Sequence, residues 1–139
     1  GTKGALAVVF RGPRPPCQIP TGGSNFILRK SDLNGDGLDE LLLESSAFNM
    51  GLGVTHARLT ELKGCRLNLV RDFGTVDRES CGADAGREMV AGVIRYEPSG
   101  PGAWPKFVVE YHRAPCPETS GPRDPSTFRP APDVKRLSP

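Results

Sequence analysis

The sequence predicts a mainly β chain: a small antiparallel β sandwich or open barrel of roughly six to eight strands, with long loops and a Pro-rich C-terminal tail. Three observations carry this. The 139 residues include 17 glycines and 14 prolines, more punctuation than helices tolerate. Apolar residues come in short runs or alternate with polar ones, the period of a half-buried strand. Four widely spaced cysteines, Cys17, Cys65, Cys81 and Cys116, can staple a loop-rich chain. The length is that of one ordinary domain, and 37% hydrophobic residues are enough for a real core.

Taken in order, residues 5–10 read as a short buried strand. Residues 11–23 form a loop punctuated by Pro13, Pro15, Pro16, Pro20 and Gly22-Gly23, with Cys17 inside it. Residues 25–30 are a second short strand. After an acidic segment, Leu41-Leu42-Leu43 reads as a buried strand. A helix ending near Gly51 is the alternative, disfavoured because no amphipathic helix precedes it. Ala57 and Leu59 then alternate with His56, Arg58 and Thr60, and Leu67 and Leu69 alternate with Arg66 and Asn68. The Lys63-Gly64 turn between them makes a hairpin. Residues 72–87 are polar and contain glycine, so they read as a connection. A second hairpin pairs residues 89–97 with 106–113, where Phe107, Val109 and Tyr111 share a face. Residues 98–102, rich in proline and glycine, join its arms.

The composition changes at Ala114. Seven of the last 26 residues are proline. The expected organisation is a β-rich calcium-binding domain over residues 1–113 and an extended tail over 114–139. Phe128, Val134 and Leu137 are the candidate anchors, and the tail is a surface through which a partner could make contact.

A net charge of +2, with scattered Lys and Arg, gives no basic stripe and argues against nucleic acid. No apolar run approaches the ~20 residues of a membrane span. The opening Gly1-Thr2-Lys3, without initiator Met or signal peptide, reads as a processed or trimmed start. The cysteines form no CxxC pair and have no histidine at ligand spacing, which argues against zinc. Two disulfides are expected, and with them an extracytoplasmic location, secreted or periplasmic; the alternative is four buried thiols in the cytosol. The second hairpin draws the approach to Met89 towards the exit after Arg113. Of the three possible pairings this favours Cys81 with Cys116 and Cys17 with Cys65.

Chemistry concentrates between Asp32 and Glu40. Calcium takes six to eight oxygen ligands, and a tight turn supplies them by putting side-chain oxygens on alternate residues. Asp32, Asn34 and Asp36 have that spacing, Gly35 and Gly37 permit positive φ, the carbonyl of Leu38 can turn inward, and Glu40 can close the shell. Asp39 adds a fourth carboxylate to the segment. Without a cation these groups repel one another. The competing reading is an Asp/Asn/Gly turn with no ion. An EF-hand does not fit, because the twelfth residue from Asp32 is Leu43, and Glu44 misses the bidentate position by one. The run Asp32-Leu33-Asn34-Gly35-Asp36-Gly37-Leu38-Asp39-Glu40-Leu41-Leu42-Leu43 resembles the calcium loop of FG-GAP and VCBS-type repeats, as in integrin α propellers. The resemblance covers about residues 26–44. It implies side-chain ligands Asp32, Asn34, Asp36 and Glu40 with the carbonyl of Leu38, a strand on either side, and Asp39 outside the coordination shell. Glu40 stands where the family usually has Asp. One such unit cannot close a propeller, which takes at least four blades.

Catalytic constellations are weak. His56 and His112 fall on polar strand faces with no nucleophile motif beside them. Thr21-Gly22-Gly23-Ser24 lacks the lysine of a phosphate loop. Asp39 and Glu40 are adjacent, so on a strand they point to opposite faces and cannot flank a glycosidic bond. Tyr96, Trp104, Tyr111 and Arg113 offer a sugar or peptide surface, or the rim of the second hairpin. The sequence thus points to an extracytoplasmic calcium-stabilised binding or structural module for a protein or glycan. A small hydrolase or hydrolase accessory domain, or a fragment of a larger surface protein, are the alternatives.

Overall fold

The computed structural model describes residues 6–11, 14–20, 26–83, 86–118 and 123–137. The expected opening tripeptide, the strand starts at residues 5 and 25, and the 21–24 segment lie outside the described residues. The chain is mainly β, with 62% strand and 3% helix, and its long antiparallel sheet is not closed into a barrel. Strands β1 (Leu6–Arg11) and β2 (Arg14–Pro20) form a two-stranded sheet, which corrects the loop expected at residues 14–20: Cys17 and Ile19 are buried on one face of β2 despite the flanking prolines. The second sheet runs in the order β3 (Phe26–Ser31), β4 (Glu40–Asn49), β5 (Leu52–Lys63), β6 (Arg66–Glu79), β7 (Glu88–Glu97), β8 (Lys106–Pro115) and the two-residue β9 (Arg129–Pro130). Spatial order equals chain order, so short turns suffice for most connections.

Two turns follow from consecutive positive φ values. Met50 and Gly51 (+49° and +80°) join β4 to β5, and Gly64 and Cys65 (+55° and +64°) join β5 to β6. Two successive residues in this region make the type I′ loop that matches strand twist. The Lys63-Gly64 signal was legible; the Met50 turn was not, since methionine is a poor left-handed residue. Gly51 is needed twice over. A Cβ there would collide with the carbonyl group of Gly82 and come within 2.8 Å of Ala83 N. Gly51→Ala is therefore expected to cost about 3 kcal/mol, backbone strain plus steric conflict, read as a lowered denaturant midpoint.

The chain divides into two compact units. The first comprises Gly1–Ser45, Ala57–Asp72 and Pro98–Pro105; the second comprises Ser46–His56, Phe73–Glu97 and Lys106–Pro139. The first is built on Cys17, Ile19 and Leu62, with Cys65 and Leu67 packed against them. Leu41, Leu43, Ala57 and Leu59 are also buried, and Thr60 Oγ1 donates to the Leu41 carbonyl at 3.1 Å. The second centres on Val90, Tyr111 and Ala131, joined by Val109, Val134 and Leu137. Here the Tyr111 hydroxyl donates to the Thr75 carbonyl at 3.3 Å.

Residues 72–79 are a correction to the expected connection: β6 runs on to Glu79. Its polar composition hides a buried set of Phe73, Thr75 and Val76, and its last residues pair with β7, Asp77 with Ala91 and Glu79 with Met89. The tail contributes a 3-10 turn at Pro125–Thr127 and β9, which pairs with His112 and Arg113 of β8. Val134 and Leu137 act as anchors. Phe128 is half-buried and closes the 3-10 turn through its N–H to the Pro125 carbonyl.

Both disulfides form as expected. Cys17–Cys65 spans 48 residues within the first unit and Cys81–Cys116 spans 35 within the second, with Cα atoms 5.4 and 5.5 Å apart. The β7–β8 register explains the latter, since Glu88 pairs with Pro115 and Met89 with Ala114.

Candidate metal centre

The acidic segment is the loop of the β3–β4 hairpin. Ser31 pairs with Glu40 at its neck, so residues 32–39 project beyond the ladder. Gly35 and Gly37 take φ of +75° and +85°, as the sequence required. These conformations turn successive backbone N–H groups inward. The Asp32 carboxylate accepts from Gly35 N (2.8 Å) and Asp36 N (3.1 Å) on Oδ1 and from Gly37 N (2.9 Å) on Oδ2. Asn34 Oδ1 accepts from Asp36 N at 3.0 Å, and Asp36 Oδ1 accepts from Leu38 N at 2.8 Å. The loop is thereby wound around its own carboxylates, each fixed without the help of long side chains.

Glu40 differs from the rest. It is the first residue of β4 and only 2% exposed. Its Oε2 accepts from Leu33 N at 2.6 Å. Burial pushes its carboxyl pKa above the ordinary glutamate value; the Leu33 N–H pulls the other way, and the Asp36 and Asp32 charges push it up further. Turn chemistry accounts for Asp32, Asn34 and Asp36. It does not account for a buried third carboxylate aimed at two others.

Asp32, Asp36 and Glu40 each place one carboxylate oxygen within 4.8 Å of the others. Two oxygens on opposite sides of one calcium ion lie about 4.6–5.2 Å apart, twice the metal–oxygen distance. The three oxygens therefore fit a single hard cation. Of the five residues expected from the sequence, these three converge. Asn34 lies beside them, its Nδ2 3.4 Å from Asp36 Oδ2, and Leu38 joins the loop through its N–H while its side chain is exposed. Asp39, the last loop residue before β4, is exposed, opposite in burial to Glu40. Gly102, in the β7–β8 connection, approaches the loop: a Cβ on Gly35 would sit 3.8 Å from its backbone N.

The other candidates disperse. His56 and His112 are half-buried on β5 and β8. Tyr111 is a core residue, 7% exposed. Arg113 is engaged with Asp133 at 2.9 Å. A hollow in the second unit, around Phe48, Asp77 and Glu79, was missed from the sequence. Searches of known protein families, curated proteins and solved structures return no match to this chain.

Proposed function

We propose that this chain is an extracytoplasmic, calcium-stabilised binding or structural module. The observation that carries the reading is the convergence of the buried Glu40 carboxylate with those of Asp32 and Asp36. Calcium would be held by Asp32, Asp36 and Glu40, with Asn34 and the Leu38 carbonyl as further ligands and water completing the shell. The ion's part is charge neutralisation. It would offset the mutual repulsion of the three carboxylates and tie the neck of a hairpin to its tip, a structural role of the sort FG-GAP-type loops play. Two disulfides support an oxidising compartment, so the location is secreted or periplasmic. Among the described residues no helix is long and apolar enough to cross a membrane.

Calorimetry with calcium and with chelator tests this. Calcium is expected to raise the melting temperature, and Asp36→Ala to abolish the rise. Identical unfolding of the unaltered protein in both buffers would remove the claim.

A further inference from the structure

One face of three neighbouring strands in the second unit carries a shelf. Ser46 and Phe48 come from β4, Gly53 and Thr55 from β5, Asp77 and Glu79 from β6, and together they line a hollow of about 250 Å³. Within each strand the two residues are two apart, so they share a face. Ser46 Oγ and Thr55 Oγ1 are hydrogen-bonded at 2.8 Å. The Phe48 ring lies against Gly53: a Cβ there would meet Phe48 Cδ2 at 3.2 Å and Glu79 Cβ at 3.9 Å. Glycine thus opens the floor between an aromatic ring and a carboxylate. Phe48 is 72% exposed, an unusual position for a phenyl ring on a sheet face.

The tail places a guanidinium in this hollow. Arg123 Nη2 donates to Glu79 Oε2 at 3.2 Å, with both side chains about two-fifths exposed (44% and 41%). Asp77 is also held by the backbone, accepting from Gly92 N at 3.2 Å. We propose that the shelf is a docking site for an arginine side chain of a partner peptide, and that Arg123 is its resident, displaceable occupant.

Charge and shape favour this occupant. Two carboxylates face one guanidinium, so the hollow keeps an excess negative charge with Arg123 in place. A guanidinium can stack on an aromatic ring while it donates in parallel to carboxylates. Arg123 makes one N–H contact to Glu79 in a half-exposed setting, the class of ion pair that is weak and readily exchanged. This reading is independent of calcium, since no residue of the acidic loop takes part.

The test is an NMR titration of the full chain with the peptide acetyl-Ala-Arg-Ala-amide and with its citrulline counterpart, a neutral isostere. A competitor that fills the site most of the time weakens apparent affinity in proportion to the unfilled fraction. Arg123→Ala is therefore expected to bind the arginine peptide about two- to six-fold more tightly than the unaltered protein. Glu79→Gln added to Arg123→Ala should abolish that gain, and the citrulline peptide should give no shifts. Arg123→Gln, which preserves side-chain bulk, should behave as Arg123→Ala if the latter melts early. Equal affinity with and without Arg123, retained binding after Glu79→Gln, or equal shifts from citrulline would each overturn the proposal and leave Arg123 as a structural tether of the tail.

Discussion

Reduction of both disulfides is expected to unfold this protein at room temperature. Cross-links closing loops of 48 and 35 residues remove denatured-state entropy worth about 4 kcal/mol each in the chain-entropy picture. Their sum of about 8 kcal/mol matches the whole stability of an ordinary domain, about 5–15 kcal/mol. The first unit's cluster includes Cys17 itself, 3% exposed, so losing that bond also disturbs its apolar centre. Each bond staples a different unit, so the paired variants Cys17→Ala/Cys65→Ala and Cys81→Ala/Cys116→Ala should weaken different strand sets. Hydrogen exchange should show the first loosening β2 and the β5–β6 turn, and the second loosening the β6–β7 connection and the end of β8. A denaturant midpoint that does not move on reduction would contradict the argument.

The sequence made strand–turn–strand segments legible where period and turn chemistry agreed. Phe107, Val109 and Tyr111 are more buried than Val108 and Glu110, and Ala57 and Leu59 are buried as the alternation required. It failed at β2, where prolines mask the alternating burial of Cys17 and Ile19, and at residues 72–79, where the buried set is not regularly spaced. Phe73, Thr75 and Val76 break the two-residue period around Gly74, whose φ is +68°, so no alternation marks residues 72–79 as a strand. The acidic loop was legible because a cation and a tight turn both demand short oxygen-bearing side chains at fixed spacing. The burial of Glu40 was not, since nothing local distinguishes it from Asp39. Which carboxylate turns inward is fixed by its pairing with Ser31. The shelf at Phe48 was invisible for a related reason: its residues come from three strands and the tail, and only the fold brings them together.

Glu40 also sets the largest expected response to solution conditions. If the loop binds with a dissociation constant of about 10⁻⁴ M, as extracellular modules do, 10 mM calcium adds about 2.7 kcal/mol. For a chain of this size that is a rise of about 10 °C in melting temperature. The increment should depend on pH in a defined direction. Burial raises the native Glu40 pKa above the ordinary value of 4.5. Between those two values the native chain without calcium holds more protons than the unfolded chain, so its stability falls as pH rises through that window. Calcium would bind the ionised carboxylate, so its contribution should grow over the same range. Melting curves with calcium and with chelator should therefore diverge as pH is raised from about 4 to 8. Glu40→Gln can still accept the Leu33 N–H but carries no charge. It is expected to raise the melting temperature of the calcium-free protein at neutral pH, remove its pH-dependent fall, and shrink the calcium increment. A variant that lost stability under chelator would mean that the Glu40 carboxylate is already satisfied by backbone N–H groups, and that the loop is a turn with no need of an ion.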